Sequence, residues 1–142
     1  MHALLYRSLE RPGLLASDLN DIIGAAQRRN GELDVTGLLL RGHMEVIPSA
    51  PGEFVQWLEG PEESLDALFR LIDADPRHTE VEVLARGPLA DVVGASHVAV
   101  GPGRLFPSWS MGLVRLAALP ATLDGFLRFA ADWNGEAHAL AA

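Results

Sequence analysis

The chain has 142 residues, the length of one domain, which is enough to bury a core without disulfides or metals. Its formal net charge of −8 argues against nucleic acid or an anionic membrane as the main partner, because proteins that bind phosphates present a basic face. The sequence contains no cysteine, which excludes thiol nucleophiles, disulfide redox chemistry and cysteine-ligated metals.

The first elements that the chain predicts are a strand, a helix and a second strand. Residues 3–7 are short and apolar, and a Pro-Gly turn follows them. The next apolar residues recur with the spacing i, i+3, i+4, i+7, which predicts a helix with Ser17 as its N-cap and Asn30 at its end. Residues 35–40 are uniformly apolar and predict a strand that is covered on both faces.

A third strand, a second helix and three further elements follow. The apolar run 54–59 is closed by a Gly-Pro pair, which suits the start of a helix. That helix has the same apolar spacing and ends at Asp75, before a proline. Residues 81–84 and 109–114 predict two more strands, and Thr122 is a suitable cap for a last amphipathic helix.

This order of elements predicts an α+β fold of the ferredoxin-like, split βαβ type. It is β-α-β-β-α-β, with a fifth strand and a C-terminal helix. The two main helices are expected on one face of the sheet and the last helix on the other. Residues 41–53 and 87–103 have no periodicity and are rich in Gly and Pro, so we expect two long loops there.

A glutamine, Gln56, lies inside the apolar third strand. Its amide has up to four hydrogen-bonding sites, and burying them without partners is costly. The partner could be a polar side chain, a water or the edge of a bound heterocycle, so Gln56 has a structural and a functional interpretation. Tyr6 is the chain's only tyrosine and lies on the neighbouring strand in this topology. A phenol and an amide can satisfy each other beside a ligand.

Further polar residues stand where the two main helices end. Asn30 could be an ordinary C-cap, and Arg77-His78 could simply favour the negative end of a helix dipole. Together with Arg28 and Arg29 they would rim one cleft between the helices. Such a set suits a planar, hydrogen-bonding ligand with a phosphate tail. The sequence has no metal-ligand spacing, P-loop, Rossmann fingerprint or Ser-His-Asp grouping.

Five short pieces of the chain stand in one order over about residues 1–115. They are Leu5-Tyr6-Arg7-Ser8; Asn30 followed by Val35-Thr36-Gly37-Leu38-Leu39-Leu40; Phe54-Val55-Gln56-Trp57-Leu58-Glu59-Gly60-Pro61; Asp75-Pro76-Arg77-His78; and Arg104-Leu105-Phe106-Pro107-Ser108-Trp109-Ser110-Met111-Gly112. In these pieces the chain resembles the BLUF family of blue-light sensors that use FAD. The resemblance divides the chain into a BLUF domain over 1–115 and a C-terminal helical extension over 116–142.

The resemblance implies that the isoalloxazine ring of FAD stands between the two main helices. Apolar side chains would flank the ring, Asn30 would hydrogen-bond its pyrimidine edge, and Arg28 or Arg29 would reach the phosphates. The cofactor-binding residues implied in this way are Ile22, Arg29, Asn30, Phe54, Gln56, Ile72, Arg77 and His78.

The resemblance also assigns the photochemistry. In the family a tyrosine, here Tyr6, passes an electron and then a proton to the excited flavin. A glutamine, here Gln56, reorients or tautomerises before both return, which gives a slightly red-shifted, reversible state. Trp109 and Met111 would relay the change, one of them facing the flavin side in each state.

The chain departs from the family pattern because its segments 41–53 and 87–103 are longer than in the family. Both lie next to strands that carry switch residues, so the resemblance does not fix how the signal leaves the site. The resemblance implies a non-enzymatic sensor. The net charge, the absence of a signal-peptide pattern and the absence of a membrane-length apolar run predict a cytoplasmic protein without a nucleic-acid or membrane partner. It would act on a separate signalling protein or as a homo-oligomer, through the last helix or an open sheet face.

One alternative is a ferredoxin-like enzyme of the acylphosphatase type, which would use an arginine and an asparagine. The other is a BLUF-derived flavin-binding module that has lost photoactivity.

Overall fold

The computed structural model of the protein describes residues 1–12, 16–44, 50–94 and 104–141. Its strands are β1 (His2–Glu10), β2 (Thr36–His43), β3 (Glu53–Gly60), β4 (His78–Pro88) and β5 (Trp109–Arg115). Its helices are α1 (Ala16–Glu32), α2 (Glu62–Ala74), α3 (Leu89–Val93) and α4 (Leu123–Ala141), and a 3₁₀ turn covers Leu116–Ala118.

The strands form one five-stranded sheet in the order β4-β1-β3-β2-β5. All neighbouring strands are antiparallel except β5, which pairs with β2 in parallel. Tyr6 of β1 and Leu39 of β2 are the direct neighbours of Gln56 on either side of β3. The predicted ferredoxin-like order is therefore confirmed, with the fifth strand added at the β2 edge.

Each face of the sheet carries its own apolar core. On the first face, α1 and α2 cover a cluster that includes Leu4, Leu58, Leu65, Leu68 and Ile72. On the second face, α4 covers a cluster that includes Leu5, Leu38, Trp57, Phe106 and Phe126. This arrangement confirms the expectation that the C-terminal helix lies on the other side of the sheet.

The second core contains a stacked aromatic pair. The ring centroids of Trp57 and Phe126 are 5.6 Å apart, with 9° between the ring planes. Thr122 caps α4, because its hydroxyl oxygen accepts a hydrogen bond from the backbone N–H of Gly125 at 3.1 Å. That cap is as predicted from the sequence. The stack and the cap together fix where α4 begins on the sheet.

Two expectations about helix α1 are wrong by one or two residues. The helix begins at Ala16, so Ser17 lies within its first turn, and it continues to Glu32 beyond Asn30. The chain reverses at Asp34, which has a φ of 58°. Asn30 is therefore a helical residue and not the C-cap, which leaves its side chain available for another role.

The expected long loops are shorter than predicted. Strand β2 runs to His43 and β3 begins at Glu53, so the first connection is 44–52, of which 45–49 lie outside the described residues. Strand β4 continues through Pro88 and passes directly into α3, so a loop over all of 87–103 is wrong. The reason is that five residues are too few to show a helical period, although Leu89 is buried against the second core. Residues 95–103 lie outside the described residues.

Within the described ranges, no helix combines the length and the apolarity that crossing a membrane requires.

Candidate functional site

A cleft opens between α1 and α2 above the first face of the sheet. Its volume is about 620 Å³ when the solvent space at its mouth is included. The cleft is lined by residues from both helices, from all five strands of the sheet and from the turn after α2: Tyr6, Ile22, Ala25, Ala26, Arg29, Asn30, Leu39, Phe54, Gln56, Leu68, Ile72, Asp75, Arg77, His78 and Trp109.

Three buried polar side chains form a hydrogen-bonded chain at the base of the cleft. The side-chain Nε2 of Gln56 donates to the hydroxyl oxygen of Tyr6 at 2.5 Å. The indole Nε1 of Trp109 donates to Oε1 of Gln56 at 2.9 Å. Tyr6 and Gln56 share a face because they are direct partners in the β1–β3 ladder. Trp109 comes from β5 and reaches across β2, so the chain of bonds spans four strands.

The Tyr6 phenol is buried beneath the cleft. Burial raises the pKa of Tyr6 well above its ordinary range, while the hydrogen bond from Gln56 acts in the opposite direction with a smaller effect. The phenol therefore keeps its proton at neutral pH. The rings of Phe69 and His78 lie edge-on to Tyr6, with centroids 6.5 Å and 6.2 Å away. Tyr6 is thus a protonated phenol in a closed, largely aromatic setting.

Helix α1 brings two unsatisfied polar atoms into the cleft. The Oδ1 atom of Asn30 and the Nε atom of Arg29 are buried and have no hydrogen-bond partner among the described residues. Asn30 is 1% exposed, so water does not reach it readily. Buried polar atoms without partners are rare in folded proteins and costly. An acceptor and a donor in this position fit the polar edge of a flavin, which offers both kinds of group.

The turn after α2 adds a tightly held ion pair to the rim. The Arg77 guanidinium donates to both carboxylate oxygens of Asp75, with its Nη2 at 2.7 Å from Oδ2. Burial raises the pKa of the Asp75 carboxyl, but the hydrogen bonds and the charge of Arg77 outweigh burial, so the pKa lies below its ordinary value. The same hydrogen bond raises the pKa of Arg77. Both groups are charged at neutral pH and hold each other in place.

His78 uses both ring nitrogens within the protein. Its Nε2 lies 2.5 Å from the carbonyl oxygen of Ile72 and must donate there, because a carbonyl only accepts. Its Nδ1 lies 2.8 Å from the Ser8 hydroxyl oxygen and shares a hydrogen bond with it. His78 therefore links β4 to α2 and β1. It meets the cleft with its ring and not with a free nitrogen.

The cleft collects most of the residues that the sequence singled out. All eight residues expected to bind the cofactor line it, and so do Tyr6 and Trp109. Met111 does not line it but is half-buried in the core beside it, and Arg28 is exposed outside it. The sequence reasoning missed Asp75 as a site residue, since it was assigned only to ending the helix. The sequence feature that could have identified Asp75 is its position two residues before Arg77, where an acidic side chain can pair with the guanidinium.

The described residues contain no cluster of three or more His, Asp or Glu side chains that could hold a metal ion. What the cleft offers is therefore an apolar slot, a buried hydrogen-bonding chain and two unsatisfied polar atoms. This is the chemistry of a site for a planar heterocycle.

Comparison with known proteins points to a family that uses such a heterocycle. Residues 1–112 match the family model described as "Sensors of blue-light using FAD", named BLUF. The chain is 37% identical over 78 residues to the blue light- and temperature-regulated antirepressor BluF of Escherichia coli K12, a match over 55% of this chain and 17% of that protein. It is 39% identical over 74 residues to a photoactivated adenylate cyclase subunit beta of Euglena longa, over 52% of this chain and 8% of that protein. The chain thus spans only a small part of these relatives.

Solved structures agree with this comparison. The dark-state structure of BlrB, a BLUF protein, has 36% identity, a TM-score of 0.59, and covers 80% of this chain and 71% of its own. Klebsiella pneumoniae BlrP1 in its calcium and cyclic-diGMP complex has 30% identity and a TM-score of 0.60, over 92% of this chain and 28% of its own. The matched domain is a flavin-binding sensor rather than a catalytic one, which decides against the acylphosphatase-type alternative. The chain belongs to the BLUF family of blue-light sensors.

Proposed function

We propose that this chain is a blue-light photoreceptor that binds FAD between α1 and α2. Absorption of light would drive transfer of an electron and a proton from Tyr6, and a rearrangement of Gln56 would give a reversible, red-shifted state. The observation that carries the proposal is the buried chain of hydrogen bonds from Trp109 through Gln56 to Tyr6. It ends in a protonated phenol at the base of the cleft between α1 and α2.

Binding is assigned to the walls and rim of the cleft. Ile22 and Ile72 supply apolar sides, and Phe54 and the rim residues Arg77 and His78 complete the lining. The unsatisfied Oδ1 of Asn30 would accept a hydrogen bond from the pyrimidine edge of the ring, and Arg29 would donate one. Supplying partners to these two atoms would turn an unfavourable feature of the protein alone into binding free energy.

In the proposed light reaction, a bound flavin supplies absorption of blue light and an excited state that accepts an electron. Tyr6 gives up one electron and then its phenolic proton, and both return to Tyr6 when the reaction reverses, so nothing is oxidised overall. Gln56 lies between Tyr6 and Trp109, and turning its amide over would exchange a donor for an acceptor. A switch within one buried network of this kind needs no change of fold.

We further propose FAD as the flavin, in agreement with the family description. One related structure, that of Klebsiella pneumoniae BlrP1, contains FMN with cyclic diGMP, so the choice needs a direct test. Release of the flavin by heat followed by mass spectrometry distinguishes the two, since FAD carries an adenylate group that FMN lacks.

Output is proposed to pass through a separate signalling protein or a change of homo-oligomeric state. The division into a BLUF domain over 1–115 and a helical extension over 116–142, and a cytoplasmic location, belong to this proposal. The relatives named as a photoactivated adenylate cyclase subunit and a light-regulated antirepressor support the proposal that this chain regulates a partner. Size-exclusion chromatography in the dark and under blue light tests the oligomeric route.

The central experiment is purification under dim light followed by absorption spectroscopy before and after blue light. The protein should be yellow, its flavin band should move to the red, and the band should return in the dark. Tyr6→Phe and Gln56→Leu should both keep the flavin and lose the shift. Trp133→Phe, an aromatic truncation on the other sheet face, serves as the control and should keep it.

Three outcomes would contradict the proposal in whole or in part. A colourless protein that takes up no added FAD would exclude a flavin sensor. A yellow wild-type protein whose spectrum ignores blue light would favour a flavin-binding module without photoactivity. A normal red shift in Tyr6→Phe would remove Tyr6 as the electron donor.

A further inference from the structure

A buried carboxylate, Glu59, lies on β3 outside the flavin cleft. Its side chain is fully buried. Its oxygens accept four hydrogen bonds: from Trp57 Nε1 at 2.9 Å, from the Thr36 hydroxyl at 3.2 Å, and from the backbone N–H groups of Leu105 at 3.0 Å and Phe106 at 2.7 Å. Four acceptor positions are about what a carboxylate has. A group satisfied this fully is built into the fold and is not incidental.

Glu59 connects β3 with the chain just before β5, although β3 and β5 are not neighbours in the sheet. Strand β2 separates β3 from β5, so β3 and β5 share no backbone ladder. Their side-chain connections run over the two faces of β2. On the first face, Gln56 of β3 bonds Trp109 at the start of β5. On the second face, Glu59 of β3 bonds the backbone of 105–106, just before β5 begins.

We propose that Glu59 is a positioning residue for Trp109. By holding the backbone of 105–106 against β3, its carboxylate fixes where β5 enters the sheet and so sets the distance from the Trp109 indole to Gln56. The inference rests on the proposed function, because the bond it controls is the one that would orient the switching amide. It adds a residue on the far face of the sheet to that switch.

The surrounding donors require a carboxylate at this position. All four partners of the Glu59 side chain are donors, so an amide would turn its NH₂ group toward at least one N–H. Thr36 donates to Glu59 while its oxygen accepts a hydrogen bond from Arg104 Nη1 at 2.9 Å. Arg104 also binds the Asp34 carbonyl at 3.0 Å. The guanidinium therefore holds the threonine that donates to Glu59, and it joins the chain before β5 to the chain before β2.

The test uses the chain's three tryptophans as reporters. Full-length flavin-bound protein is labelled with ¹⁵N at the indole nitrogens, and the three N–H signals are recorded in the dark. In Glu59→Gln, the Trp57 signal should shift because its partner has changed. The Trp109 signal should shift or broaden as well, because its contact with Gln56 has moved. The Trp133 signal should stay near its wild-type position and show that the fold is kept.

A purely local role for Glu59 predicts a different result, in which Trp57 moves and Trp109 does not. That result in a folded Glu59→Gln protein would overturn the proposal. Trp57→Phe is the matched control: it removes the indole donor to Glu59 but leaves the bonds to 105–106, so the Trp109 signal should be unchanged. A displaced Trp109 signal in this control would assign the effect to the Trp57 contact instead.

A second variant covers the case in which Glu59→Gln does not fold. Thr36→Val removes one donor to Glu59 and the link to Arg104, and it should move the Trp109 signal in the same sense by a smaller amount. An unchanged Trp109 signal would then count against the proposal. Because all these spectra are dark-state spectra, they decide the role of Glu59 even if the wild-type protein shows no response to light. Failure of the proposed function is therefore seen separately, in the absorption experiment.

Discussion

The indole N–H of Trp109 donates to the side-chain oxygen of Gln56 at 2.9 Å and thereby selects one orientation of that amide. An indole nitrogen is only a donor, so it can bond the amide oxygen of Gln56 but not the amide NH₂ group. The NH₂ group must then face the hydroxyl oxygen of Tyr6, as it does at 2.5 Å. Trp109 is therefore a structural determinant of the orientation of Gln56 beside the proposed flavin.

Removing the donor at Trp109 should release the amide. In Trp109→Phe we expect about 1 kcal/mol less bias between the two orientations of Gln56, roughly a five-fold change in their ratio. Both orientations are then populated in the dark, so the light-induced red shift should become smaller. Difference absorption spectra of wild type and variant measure the effect. A full-sized shift in Trp109→Phe would show that another group orients the amide.

Asn30 should contribute to flavin binding out of proportion to its size. Its Oδ1 is buried without a partner among the described residues, so a ligand N–H that reaches it gains a hydrogen bond and removes a penalty. We expect Asn30→Ala to raise the Kd for flavin about five-fold to fifty-fold, corresponding to about 1–2.3 kcal/mol. Fluorescence titration of the apoprotein measures it. Gln27→Ala, an exposed change on the same helix, is the control and should bind like wild type.

The Asp75–Arg77 pair should make stability depend on pH in the acid range. The pKa of Asp75 is lowered in the folded protein, so the pair contributes its full stability above the ordinary value of 3.8 and loses it as the pH falls through the folded pKa. At pH 7 we expect Asp75→Asn to unfold at lower urea concentration than wild type. The difference should shrink as the pH falls below about 4.

Asp73→Asn is the matched control for this experiment, because it removes one negative charge from an exposed position near the same helix end. A gap between Asp75→Asn and wild type that stays constant from pH 7 to the acid limit would show that the ionised pair is not the cause.

Gly37 should tolerate no side chain. A Cβ atom there would lie 1.9 Å from the carbonyl oxygen of Trp57, where β2 passes β3. We expect Gly37→Ala to destabilise the protein by about 3 kcal/mol or more, since backbone must move to relieve the overlap. Gly31→Ala is the control, because a Cβ atom added at Gly31 would meet no other atom within 4 Å and alanine favours a helix. Urea denaturation of both variants tests this, and equal stability would contradict the close approach.

The sequence allowed the fold and the members of the site to be predicted because both depend on local signals. Apolar periodicity gave the order of the strands and helices, and that order has few compatible topologies. Gln56 and Tyr6 were identifiable because a buried amide and a lone phenol on adjacent strands need partners. The prediction of a loop over 87–103 was wrong because a five-residue helix has too few turns to show a period. The prediction of Asn30 as a C-cap was wrong because the chain reverses direction later, at Asp34.

What the sequence determined by itself was the family, the α+β architecture and the polar residues that surround the cleft. Only the tertiary structure decided which of them touch. Trp109 lies 53 positions along the chain from Gln56, and Phe106 lies 47 positions from Glu59. No periodicity encodes such pairs, because they form only when β2 is inserted between β3 and β5. Because β2 separates β3 from β5, the side chains of Trp109 and Glu59 are links between β3 and the chain at the start of β5.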